Sequence, residues 1–164
     1  MQRHIKASSH VHARGFTVAE LVLVIFILGI LISLSVGAYV DYQEGARDRE
    51  RKADIGIISQ SIERYYRTNA VATGATYPVT TVGVAGLTTI IDNSDATTAP
   101  QQTSTSMVIA TTAATQTPTV SEYIYQPLNV DGTLCAVAPC VKFKLYSRLE
   151  ANGEIITQNS LRQQ

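Results

Sequence analysis

A run of twenty uncharged residues, Leu21 to Val40 (LVLVIFILGILISLSVGAYV), sets the first limit on what this chain can become. As a helix it is about 30 Å long, the thickness of a bilayer's hydrocarbon core. A helix at the surface of a globular domain keeps a polar stripe for solvent, and this run is apolar on every face. The flanks add a direction. Met1 to Gly15 carries Arg3, Lys6 and Arg14 and no acid, whereas mixed charges follow from Asp41 onward. The positive-inside rule then puts the N-terminus on the cytoplasmic side. A secretory signal peptide has an apolar core of about 7–15 residues and small residues at its cleavage site. This run is longer, and Tyr39-Val40-Asp41-Tyr42 offers no such site. The expectation is a membrane-spanning helix over 16–40.

Composition excludes much of the rest. Thirteen basic and thirteen acidic side chains give a formal charge of zero, and the sequence pI is near 6.8. A dedicated nucleic-acid surface normally shows a basic excess. The three histidines are His4, His10 and His12. If residues 1–15 are removed, no histidine is left for catalysis or metal ligation. The mature chain also shows no Gly-rich phosphate loop and no paired acids at catalytic spacing. The expectation is a protein that is not an enzyme and carries no cofactor.

Glu20 does not fit a passive anchor. An ionised side chain within a membrane costs roughly 2.5–3.5 kcal/mol on insertion scales, so it calls for a partner. The nearest cation would be a new amino terminus made by cutting just before Phe16. At these residues, Arg14-Gly15-Phe16-Thr17-Val18-Ala19-Glu20-Leu21, the chain resembles the class III leader of type IV prepilins and of type II secretion pseudopilins. The resemblance implies that a prepilin peptidase on the cytoplasmic face cuts after Gly15 and methylates the amine of Phe16. It further implies that Glu20, with Thr17 beside it, sets assembly register against a neighbouring subunit's N-terminal amine. Gly29 and the Ala38–Tyr42 stretch also sit where type IV pilins carry similar residues. Gly37 stands where many pilins have proline; glycine weakens a helix there by about 1 kcal/mol against proline's roughly 3.

Beyond the apolar run, three segments are distinguishable. From Asp41 to Arg67 the helical period continues, with Ile55, Ile58, Ile62 and Tyr65 or Tyr66 on one face. A helix over 16–67 is about 78 Å long. Charges of alternating sign, Arg47 to Asp54, read as a solvated face, with Asp48–Arg51 and Asp48–Lys52 as favourable neighbours. The acids interleave, which argues against a basic phosphate-binding patch. Residues 68–121 are rich in Thr, Ala, Ser and Gly and read as a long loop with weak strands or a short helix. Leu87–Ile91 and Met107–Ile109 are its β-prone pieces. This segment is the displayed surface, with Thr and Ser hydroxyls available to carry sugars and no Asn-x-Ser/Thr sequon. Residues 122–164 read as sheet: Tyr123–Tyr125, Val141–Leu149 and Ile155–Gln158 are strand-like. Asn152-Gly153 signals a type I′ hairpin turn.

Cys135 and Cys140 are half of a metal site or a disulfide. No further Cys or His exists in the mature chain to complete a metal site, and the segment lies on the non-cytoplasmic side. A disulfide closing a short loop follows. Lys142, Lys144 and Arg148 share the polar face of one strand and are the candidates for a weak polyanion-binding face.

The resulting expectation is an α+β fold: a long N-terminal helix, its first half transmembrane, packed on a small C-terminal antiparallel sheet. By resemblance the chain is a type IV pilin, a structural subunit of a helical surface filament. A type II secretion pseudopilin, which Tyr65-Tyr66-x-x-Asn69 and Tyr77-Pro78 faintly match, and a DNA-uptake pilin are the alternatives. The implied partners are other copies of the chain through helix 16–67, the prepilin peptidase, the inner-membrane pilus assembly machinery, the membrane, and a host-surface or DNA ligand. The precursor would lie in the inner membrane and the assembled subunit in a cell-surface filament.

Overall fold

The computed structural model describes residues 15–69 and 74–162. Met1 to Arg14, which hold the basic flank of the expected leader, lie outside them. The chain forms two units, one ending at Val40 and one beginning at Asp41. Helix α1, Val18–Asn69, provides the regular structure of the first and opens the second. It runs two residues past the expected end at Arg67.

The second unit is α+β. Helix α1 packs on a four-stranded sheet, β1 (Met107–Ile109), β2 (Tyr123–Leu128), β3 (Lys142–Arg148) and β4 (Ile155–Asn159), in spatial order β1-β2-β3-β4. Ile55, Ile58 and Ile62 recur at three- and four-residue spacing and so fall on one side of α1. They share one core with Tyr123 and Tyr125 of β2 and Phe143 and Leu145 of β3. Tyr77 joins it, its ring edge-on to Phe143 with centroids 4.9 Å apart. Burying a side chain of this size contributes about 1.5–3 kcal/mol, so this apolar stripe holds helix and sheet together.

The charge run departs from expectation. Arg51 is 2% exposed, Asp48 7% and Asp54 8%. They lie on the helix face that meets the sheet, and each finds partners there. Arg51 donates from Nη1 to Asp48 Oδ1 at 2.9 Å, from Nη2 to Glu150 Oε2 at 3.2 Å and from Nε to the Val120 carbonyl at 3.0 Å. Arg47 grips both Glu150 oxygens at 2.7 Å. Asp48 accepts the backbone N–H groups of Glu150 at 2.8 Å and Ala151 at 3.1 Å. Tyr123 Oη donates to Asp54 at 2.6 Å. Of the two helical pairs expected, Asp48–Arg51 forms and Lys52 stays exposed.

Three further expectations are corrected. Leu87–Ile91 is not a strand: helix α2 spans Gly83–Ile90, and its one buried residue, Leu87, enters the core. Gly86 belongs there because a Cβ would sit 2.7 Å from a Val82 methyl. The sheet is mixed, since β1 pairs parallel to β2 from Met107↔Tyr123 to Ile109↔Tyr125, while β2–β3 and β3–β4 are antiparallel. The segment between β1 and β2 crosses back over the sheet rather than turning as a hairpin, which fixes that direction. The β3–β4 turn is not type I′. Gly153 has φ 69°, but Asn152 does not share its positive φ, as that turn requires. Six residues, 149–154, connect the strands, and Asn152 Oδ1 accepts the Glu154 N–H at 3.0 Å instead.

Candidate functional site

Thr17 and Glu20 close the start of α1 upon themselves. The Thr17 N–H and Oγ1 donate to Glu20 Oε2 at 2.9 and 3.0 Å, and the Glu20 N–H donates to Thr17 Oγ1 at 3.2 Å. This is a reciprocal capping box: two backbone donors left open at a helix N-terminus satisfy each other's side chains. The Thr17 carbonyl accepts the first helical bond, from the Leu21 N–H at 3.2 Å. Thr-x-x-Glu ahead of an apolar run was the available signal for the cap. Its local role explains why an acid is tolerated at this position in a single chain. Phe16, one residue ahead, is 89% exposed.

From Val18 to Val40 the first unit presents its large apolar side chains outward. Val18, Phe26, Ile32 and Leu34 are among them, and none of the most apolar eighteen-residue stretch, at mean hydropathy 2.9, is buried. The helix is long and apolar enough to cross a membrane. A contiguous apolar surface of this extent is covered by lipid or by protein.

In the second unit the Cys135–Cys140 disulfide forms, with Cα atoms 5.7 Å apart and both residues fully buried. It anchors a crossing of several segments. The Cys140 N–H donates to Thr76 Oγ1 at 2.8 Å, the Cys140 carbonyl accepts from Tyr77 at 2.9 Å, and Cys135 N–H donates to the Pro127 carbonyl at 3.0 Å. Between the sulfurs, residues 136–139 face solvent. Replacing both cysteines with serine should lower unfolding free energy by about 2 kcal/mol, as expected for closing so short a loop. Denaturant melts of the detergent-solubilised chain check this, and an unchanged midpoint would show the bond to be dispensable.

The strand β3 cations are not one free polar face. Tyr146 lies among them and is 2% exposed, its hydroxyl donating to Gln126 Oε1 at 2.9 Å. Gln126 Nε2 in turn donates to the carbonyls of Thr112 and Ala114, both at 2.8 Å, so the crossover segment lies over this side of the sheet. Arg148 spends its guanidinium on the carbonyls of Pro118 at 2.7 Å and Gly153 at 3.0 Å. Lys142 and Lys144 remain half-exposed, with Lys142 Nζ at 3.5 Å from the Val130 carbonyl. Among the described residues, no three His, Cys, Asp or Glu side chains are grouped to hold a metal.

Compared with protein-family models, curated proteins and solved structures, the chain matches none of them.

Proposed function

We propose that this chain is a type IV pilin, made as a membrane precursor and polymerised into a helical surface filament. The observation that carries the proposal is the pairing of the Gly15-Phe16-Thr17-x-x-Glu20 sequence with an apolar helix whose side chains all face outward. Such a helix has two suitable environments in succession: lipid before assembly, and a core of neighbouring helices afterwards. Cleavage after Gly15 by a prepilin peptidase frees the Phe16 amine for methylation. Glu20 of one subunit then pairs with that amine of the next, each charge relieving the other at low dielectric. Repetition of one heterologous contact gives an open fibre rather than a closed ring. The inner-membrane assembly machinery would drive the transfer, leaving the sheet and the Thr-rich segment outward to meet a host surface or another ligand.

Mass spectrometry of sheared surface material tests the proposal. The expected chain begins at N-methylated Phe16, lacks all three histidines and has lost Arg3, Lys6 and Arg14, which moves the formal charge from 0 to −3. An intact Met1-to-Gly15 segment in surface filaments would defeat it. Wild-type chain confined to the envelope, with protein secretion lost on its deletion, would instead identify a secretion pseudopilin.

A further inference from the structure

The part of α1 from Asp41 onward carries two solvent-accessible charge pairs in matching order. Asp41 and Glu44 lie three residues apart, as do Arg64 and Arg67, and each acid is twenty-three residues from its arginine counterpart. Asp41, Arg64 and Arg67 are exposed and Glu44 half-exposed. Asp41, Glu44 and Arg67 make no hydrogen bond or ion pair among the described residues. Arg64 meets Asp92, but both side chains are more than half exposed, and such surface pairs exchange readily. Of the other acids in this part of the helix, Glu50 is also exposed, without an arginine twenty-three residues on, whereas Asp48 and Asp54 are buried on the sheet side and Glu63 accepts from Tyr77 Oη at 3.0 Å and the Leu161 N–H at 2.8 Å.

We infer that Asp41 and Glu44 of one copy dock against Arg64 and Arg67 of another, in a parallel contact offset along the helix. The inference rests on the filament reading above and assigns residues to it. Twenty-three residues at 1.5 Å each is about 35 Å, so one axial displacement brings both acids level with both arginines. At about 100° per residue the same offset turns about 140° around the helix. Acid and base pairs therefore look out on different sides, and one copy engages a neighbour on each. A contact that uses two different patches propagates without closing. Charge complementarity selects a second copy as the occupant: an acidic pair, with only Arg47 acting on Glu44 at a distance, and a basic pair of equal spacing sit on the same chain, and opposite potentials fix register as well as attraction. Arg162, stacked on Tyr66 with 4.7 Å from guanidinium carbon to ring centroid, adds a third cation near the basic end.

The experiment compares sheared filament yield, membrane-fraction level and leader cleavage in full-length variants. Arg64→Glu with Arg67→Glu, and separately Asp41→Arg with Glu44→Arg, should each lower filament yield about tenfold or more with cleavage intact, because like charges then face each other. Combining all four reversals should restore yield to within about threefold of wild type. The milder Arg64→Gln with Arg67→Gln keeps the test sound should reversal beside Asp92 disturb folding; it should weaken filaments most at low salt, where screening is least. In filaments of the Glu44→Cys, Arg67→Cys variant, a short bis-maleimide should give a ladder of linked subunits. Unchanged yield from both reversals, or no rescue in the quadruple variant, overturns this contact while leaving the subunit reading standing. Absence of filaments from wild-type cells overturns both. Normal filaments from the arginine variant that no longer retain fluorescent duplex DNA would make the basic pair a nucleic-acid surface and also overturn the contact.

Discussion

Glu20→Ala should give a chain that inserts and is cleaved as well as wild type yet yields few or no surface filaments. Insertion should even improve, because the roughly 2.5–3.5 kcal/mol penalty for an acid in the membrane disappears. The capping box loses one arm, since Glu20 accepts the Thr17 N–H at 2.9 Å. A cap of this kind is worth about 0.5–2 kcal/mol, and a helix running from Val18 to Asn69 does not depend on it. Assembly is different. With alanine, the Phe16 amine of a neighbour would enter an apolar core without its counter-charge, a loss of about 3–5 kcal/mol for a buried pair. At about 1.4 kcal/mol per factor of ten, that is about two to three and a half orders of magnitude in each subunit's docking. Glu20→Gln separates the two roles, because its amide oxygen can still accept from Thr17 but carries no charge. If filament yield follows charge, glutamine behaves like alanine; if it follows the cap, glutamine behaves like wild type. Normal filaments from a properly cleaved Glu20→Ala chain would end the register-pairing mechanism.

What was legible in the sequence follows periodicity and local chemistry. The three isoleucines of α1 sit at helical spacing, and the buried face is where that spacing puts it. Strands β2, β3 and β4 overlap the strand-like runs Tyr123–Tyr125, Val141–Leu149 and Ile155–Gln158, with alternation clearest in β3, and β1 coincides with Met107–Ile109. The misses involve long-range partners. Nothing near Arg51 in the sequence announces Glu150, ninety-nine residues away, so a buried ionic cluster looks the same as a solvated charged face. The parallel pairing of β1 depends on the path of a crossover that has no periodicity of its own. In α2, apolar Leu87–Ile91 satisfies strand and helix patterns alike, and packing of Leu87 decides. Thr17 carries a signal of its own: Thr-x-x-Glu states a cap locally, whatever Glu20 does between subunits.

Arg51→Met should be among the most destabilising single changes in the sheet-packed unit, although it swaps one long side chain for another. Methionine fills much of the space but removes three donors, leaving the Val120 carbonyl and one contact each on Asp48 and Glu150 unmatched. Breaking a buried charge network from one side costs about 3–5 kcal/mol, less here because Arg47 and two backbone N–H groups still serve the acids. A loss near 3 kcal/mol lowers the melting midpoint by about 10 °C for a domain of this size. Lys52→Ala, on the exposed side of the same turn, should change it by no more than about 0.5 kcal/mol. The pH dependence supplies a second signature. Burial alone would raise the Asp48 carboxyl, but the Glu150 and Ala151 N–H groups and Arg51 outweigh it and hold it below its ordinary 3.8. Arg47 chiefly, then Arg51, hold Glu150 below its ordinary 4.5. Both groups therefore add stability above those ordinary values and lose it as pH falls through their lowered ones. Asp54 has the opposite sign, because burial lifts its carboxyl more than the Tyr123 hydrogen bond lowers it. Its protonated form is favoured in the folded chain, so its contribution fades as pH rises. With two groups against one, the wild-type midpoint should drop on acidification below about pH 4, and Arg51→Met should flatten that drop by weakening the hold on both acids. Thermal melts of the detergent-solubilised full chain between pH 3 and pH 7 read both effects. A variant that melts with wild type across that range would show that the α1–sheet joint rests on its isoleucines and tyrosines alone, with the buried charges neutral passengers.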